Sequence, residues 1–181
     1  MPLLAPPPLP SVTVPLGLVI PPGKEHYFDT TAEPVPYTRR SFEFRGERAF
    51  LPLVHAFLAT CAAGRDPDYV HLFRLLGVEL ATNAIRHTNS GRAGGTFTLH
   101  VVRTPTHMKL TCSDSGDGRI TPIRDPEYLA VLPLDPEREH GRGLALVDAL
   151  ATSWGDDGRQ SFRRVWFTLD YDLAGSAWPA L

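Results

Sequence analysis

Glu79 and Asn83 place a carboxylate and an amide four residues apart, about one turn if the segment is helical. Further along, Asp114-Ser115-Gly116-Asp117-Gly118 sets an aspartate in a glycine-punctuated loop, and Gly141-Arg142-Gly143-Leu144 opens a second helical run. Asn83 offers an oxygen for Mg²⁺, which needs only one or two protein oxygens because phosphates and waters complete its octahedron. Glu79 can polarise a nucleophile attacking a terminal phosphate. Asp114, following an apolar strand, can accept the exocyclic amine of adenine, while Gly116 and Gly118 let a flat base approach the main chain. Gly141 and Gly143 leave the N–H groups at a helix start open to an anion, and Arg142 adds a charge-assisted contact. Together and in this order, the three stretches predict a site for ATP or ADP with Mg²⁺.

Each stretch alone has a plainer description. Glu79 could pair with Arg86 or Arg142 on an ordinary helix, the aspartate pentapeptide also reads as an acidic turn, and the glycine pair as a flexible lead-in. His87 suits the end of a helix at least as well as a ligand contact. A calcium loop of the EF-hand kind is disfavoured, because the later acidic ligands are missing and no helix precedes the aspartates. Neither a Gly-x-x-x-x-Gly-Lys-Ser/Thr loop nor a Gly-x-Gly-x-x-Gly fingerprint is present, so two common nucleotide folds do not compete.

The elements that must hold these residues follow from periodicity. Residues 47–62 carry Ala49, Phe50, Leu53, Val54, Phe57, Leu58 and Cys61 at spacings of three and four, an amphipathic helix closed by Gly64. Asp66 as cap and Pro67 in the first turn start a second helix to about His87. On its wheel, Tyr69, Leu72, Phe73, Leu76 and Leu80 form an apolar sector with Glu79, Asn83 and His87 within it or at its edge. Buried there, the Glu79 charge needs a cation, a donor or a wet cleft. Thr96–Val102 and His107–Cys112 alternate as strands around a hairpin turn at Arg103-Thr104-Pro105-Thr106, and Ser41–Arg45 reads as a short strand ended by Gly46. A long Pro- and charge-rich connection spans about Arg119–His140, before a helix over about Gly143–Thr152. Final strands near Ser153–Trp154 and Arg164–Asp170 flank a turn at Gly155-Asp156-Asp157-Gly158. The order β-α-α-β-β-loop-α-β-β predicts an α+β fold, a two-layer sandwich of a mixed sheet with helices on one face.

The 181 residues suit one ordinary domain. A net charge of −2 argues against a general nucleic-acid binder, so no direct nucleic-acid contact is expected. No apolar run reaches membrane-span length, and the start lacks the basic segment of a signal peptide, which predicts a cytoplasmic protein without a membrane partner. Cys61 and Cys112 read as reduced, partly buried small hydrophobes. Ten of the eighteen prolines fall in residues 1–36, marking residues 1–38 as an extended or disordered arm ahead of a domain at 39–174 and a tail at 175–181. The alternation Val12-x-Val14-x-Leu16-x-Leu18 would also suit an added edge strand.

With these stretches in place, the chain resembles the histidine-kinase-like ATPases of the Bergerat fold, also called GHKL, shared by sensor kinases and gyrase B. Glu79-x-x-x-Asn83 matches their N box, Asp114-x-Gly116-x-Gly118 their first glycine box and Gly141-x-Gly143 their second. Over roughly residues 40–171 it looks most like the small stand-alone anti-sigma factor serine/threonine kinases, whose N box is similar to Glu79-Leu80-Ala81-Thr82-Asn83-Ala84-Ile85-Arg86-His87. The resemblance implies that Asn83 binds Mg²⁺, Glu79 is the general base, Asp114 binds adenine, and Arg119–His140 is an ATP lid. It also implies a bacterial transcription regulator that binds a sigma factor, phosphorylates an anti-anti-sigma STAS-domain partner and commonly forms a homodimer. The proline-rich arm and the prolines of the lid depart from that pattern. A regulatory module that captures a partner without phosphoryl transfer, and an ATPase that drives dimer closure, are the other readings.

Overall fold

The computed structural model describes residues 16–116, 142–157, 162–174 and 176–178. Strand β1, Arg39–Arg45, leads through a 3-10 turn at Arg48–Phe50 into helix α1, Leu51–Ala62, which tolerates Pro52 because it lies in the first turn. Gly64, with φ of 79°, turns the chain out of α1. Helix α2, Pro67–His87, starts where Asp66 accepts the Asp68 N–H at 2.9 Å, as the capping pattern predicts. Strands β2, Thr96–Arg103, and β3, His107–Asp114, form the expected hairpin. At its turn the Thr104 hydroxyl accepts the N–H groups of His107 and Thr106 at 3.0 and 3.3 Å. Helix α3, Arg142–Leu150, and strands β4, Ser153–Asp156, and β5, Arg163–Asp170, complete the described elements.

The five strands lie in the order β1-β2-β3-β5-β4. Every described pairing is antiparallel, so the sheet is not mixed as the sequence suggested. The helical crossover through α3 does leave β3 and β4 running in the same direction, but β5 inserts between them and pairs with both. The α+β, two-layer architecture stands: Met108, Leu110 and Cys112 of β3, Val165, Phe167 and Leu169 of β5, and Phe97, Leu99 and Val101 of β2 pack in one core with α1, α2 and α3. Gly77 is the point of closest approach, since a Cβ there would meet the side chains of Leu58 and Leu110 at 2.7 and 3.0 Å. Tyr69 crosses this core to donate its hydroxyl to the Leu169 carbonyl at 2.8 Å. Both cysteines are free and fully buried.

Two local expectations change. Gly155 and Asp156 belong to β4 rather than to a turn, pairing with Trp166 and Val165. Glycine is required there because the Trp166 indole lies over the strand, 2.9 Å from where a Cβ would sit. Asp156 holds Arg163 at 3.0 Å across the same pair. At the other end, Leu16–Leu18 is a 3-10 turn and not an edge strand, in a stretch interrupted by Pro15, Pro21 and Pro22; Val12 and Val14 lie outside the described residues.

The following residues pack on the domain. Phe28 meets Phe42 edge-on at 4.8 Å between centroids, and Tyr27 lies 5.9 Å from Phe57. The Arg40 guanidinium, 4% exposed, sits 4.6 Å from the Tyr27 ring and 4.1 Å from the Tyr37 ring. Tyr37 donates to the Cys61 carbonyl at 2.6 Å, and Thr60 donates to the Tyr27 carbonyl at 2.5 Å. No helix among the described residues is long and apolar enough to cross a membrane.

Candidate nucleotide site

Helix α2 carries Glu79 and Asn83 on its second half, where Leu76, Leu80 and Ala84 are buried and pin the helix to the core. Both polar side chains are half-buried at the rim of that apolar sector, as the helical spacing predicts. His87 is the last residue of α2 and is exposed, the helix-end place that the sequence suits at least as well as a ligand contact. Burial pushes the Glu79 carboxyl pKa up, and the Arg86 guanidinium opposes that rise.

The start of α3 lies directly against these two residues. A Cβ on Gly143 would overlap Glu79 Oε2 and would stand 3.4 Å from both Asn83 Nδ2 and Glu79 Cβ. The helix therefore brings its first-turn backbone N–H groups, which lack intrahelical partners, beside a carboxylate and an amide. Leu144 is half-buried in the core behind this contact. The Arg142 side chain, Gly118, Gly141 and the proposed lid Arg119–His140 lie outside the described residues.

Strand β3 delivers the third stretch. Its Cys112 Sγ lies 3.8 Å from the Leu80 carbonyl, next to Glu79 in sequence, so the end of β3 runs along the last turns of α2. Asp114 proves to be the last residue of β3, paired with Arg163 of β5, rather than the first residue of a loop. It points to the core side, 5% exposed, and its Oδ1 accepts the Gly116 N–H at 2.8 Å. Gly116 reaches this geometry with φ of 59°, a backbone angle that favours glycine. The nearby Asp114 charge and burial both push the Cys112 thiol pKa up, burial the more, so the thiol stays protonated.

A further set of residues escaped the sequence reading. Immediately after α2, Thr88 donates to the Ala84 carbonyl at 2.7 Å and accepts the Ser90 N–H at 3.1 Å. Asn89 N–H donates to the Gly116 carbonyl at 2.6 Å, and the Ser90 hydroxyl accepts the Ser115 N–H at 3.0 Å. The available signal was the small polar cluster Thr88-Asn89-Ser90-Gly91 directly behind the candidate metal-binding helix, which is a turn of the kind that caps backbone groups with hydroxyls.

Three stretches distant in sequence thus meet along one side of α2. Residues 46–161 match the family described as the histidine kinase-like ATPase domain, well over half of the chain. The chain belongs to that family. No curated protein matches it. Histidine kinase-like ATPase domains bind ATP or ADP, typically with Mg²⁺, and the residues here fit such a ligand. The first turn of α3, which the lack of a Cβ on Gly143 lets lie against Glu79 and Asn83, and the buried carboxylate of Asp114 supply backbone N–H, amide and carboxylate groups of the types that phosphates, Mg²⁺ and adenine require.

Proposed function

We propose that this histidine kinase-like ATPase domain is an anti-sigma-factor-type protein serine/threonine kinase acting in a bacterial cytoplasm. In this reading it binds a sigma factor, phosphorylates a serine or threonine on an anti-anti-sigma STAS-domain partner, and works as a homodimer. The observation that carries it is the juxtaposition of Glu79, Asn83 and Gly143: a partly desolvated carboxylate beside an amide at the start of a helix. ATP supplies the phosphoryl group. Asn83 holds the Mg²⁺, the N–H groups at the start of α3 face the phosphates, and Asp114 accepts the adenine amine. Glu79 takes the proton of the attacking hydroxyl as its oxygen bonds to phosphorus and the bond to ADP breaks. The raised pKa strengthens Glu79 as a base as long as it remains ionised.

The test is a pull-down from the native cell in ATP and in ADP, followed by product analysis with the recovered partner. Phosphoprotein supports the kinase; a stable complex with no product replaces it with a regulatory binding module, and free phosphate alone replaces it with an ATPase.

A further inference from the structure

Ser90 is completely buried, yet it belongs to a surface connection between α2 and β2. Its hydroxyl has two partners: it donates to the Thr96 carbonyl at 2.6 Å and accepts the Ser115 N–H at 3.0 Å. Its backbone is crowded from two sides by glycines, because a Cβ on Gly46 or on Gly95 would run into the Ser90 carbonyl oxygen. Gly46 N–H in turn donates to the Gly95 carbonyl at 2.9 Å. A Cβ on Gly91 would likewise run into the Ile85 carbonyl, so the turn is pressed against the end of α2. Such close backbone approach at three glycines holds one serine hydroxyl in a fixed place.

What that hydroxyl holds is the peptide that follows Asp114. Ser115 N–H bonds to Ser90, the Gly116 carbonyl bonds to Asn89 N–H, and Gly116 N–H bonds back to Asp114 Oδ1. The orientation of the Asp114 carboxylate therefore depends on a peptide fixed from the other side by residues 89 and 90. We propose that Ser90 is a positioning residue for base recognition: it sets the angle at which Asp114 meets an adenine, and so the preference for adenine over guanine. This rests on the nucleotide-site reading above. Ser90 touches no ligand itself. Its hydroxyl acts through Ser115 and Gly116, and Thr88 ties the same turn to the helix that bears Asn83.

The experiment measures ADP and GDP affinities of the full chain, as wild type, Ser90→Ala and Ser90→Cys, with hydrogen exchange at the Asn89 and Ser115 amides. Cysteine fills the serine volume while bonding poorly, so it separates packing from hydrogen bonding. Wild type is expected to prefer ADP. Both variants are expected to lose about tenfold in ADP affinity, the scale of one hydrogen bond, with GDP affinity nearly unchanged, so that the ADP to GDP ratio falls. A purely structural role would weaken both nucleotides equally and leave the ratio intact; that result overturns the proposal while the nucleotide site survives. A wild type that binds ADP and GDP alike, or neither, overturns the reading of Asp114 and the role of Ser90 with it. If neither variant folds, exchange in the wild type decides. ADP slowing the Asn89 and Ser115 amides together supports the coupling, and no slowing at either removes it.

Discussion

The Asp114 end and the Glu79 end of the site are built in opposite ways. Around Asp114, the carboxylate, the Gly116 amide and the Ser90 hydroxyl are already hydrogen-bonded within the protein, so the geometry proposed for reading the base is held by the protein's own groups. At Glu79, burial holds a carboxyl above its ordinary pKa against the start of α3. One end has its hydrogen bonds made; the other keeps a carboxyl whose charge burial disfavours, where the proposed phosphoryl transfer would occur. Recognition is served by preorganised hydrogen bonds, whereas a base gains strength from the very desolvation that makes it costly.

The sharpest way to break this contrast is at Glu79. Glu79→Gln is expected to cut phosphoryl transfer to the cognate partner by about 10²–10⁴-fold while leaving nucleotide affinity within a few-fold. Equal transfer by wild type and variant in a radiolabel assay would end the distinction between the two ends. The converse substitution, Asp114→Asn, is expected to weaken ADP by about 10–100-fold, the scale of a hydrogen bond to a charged group, and to erase the ADP-induced rise in Tm. Calorimetry that finds ADP binding unchanged would remove Asp114 as the base reader.

Gly143→Ala tests the contact between α3 and α2. Its added methyl overlaps Glu79 Oε2, so the carboxylate or the helix must shift. Overpacking of this kind costs about 1–3 kcal/mol, a fall in Tm of several degrees at this chain length. Thermal unfolding that is unchanged would show that the carboxylate moves aside freely. The smallest effect concerns pH. Because the folded-state pKa of Glu79 is raised, the wild type is penalised by a desolvated charge above that pKa, and the penalty disappears below the unfolded value of about 4.3. Glu79→Gln should therefore gain stability over wild type near pH 8 and lose that gain near pH 4. Urea midpoints that differ equally at both pH values would contradict the assignment.

Sequence periodicity revealed α2 well because its signals are local: Asp66 caps, Pro67 starts, and the apolar residues repeat with the helix. Glu79 and Asn83 inherit their half-buried setting from that repeat. Features made by distant backbone contact were not legible. Asp114 joins β3 because Arg163 pairs with it, and Gly155 joins β4 because Trp166 covers it. Ser90 carries no signal of its own in the sequence; its buried setting comes from Gly46 and Gly95 closing on its carbonyl, an arrangement no one-dimensional pattern contains. The antiparallel sheet was missed for a related reason, since the insertion of β5 between β3 and β4 leaves no mark within any single strand.

Arg40 shows how the arm stays attached. The guanidinium rests against the rings of Tyr27 and Tyr37, donates to the Thr60 hydroxyl and the Val35 carbonyl, and lies beside the buried Cys61 thiol. Burial pushes the Tyr37 phenol further from ionising. The Tyr37 phenol in this fastening therefore stays un-ionised. Dislodging the arm would mean breaking these contacts together with the packing of Phe28 on Phe42 and of Tyr27 on Phe57 and the hydrogen bond from Tyr37 to the Cys61 carbonyl.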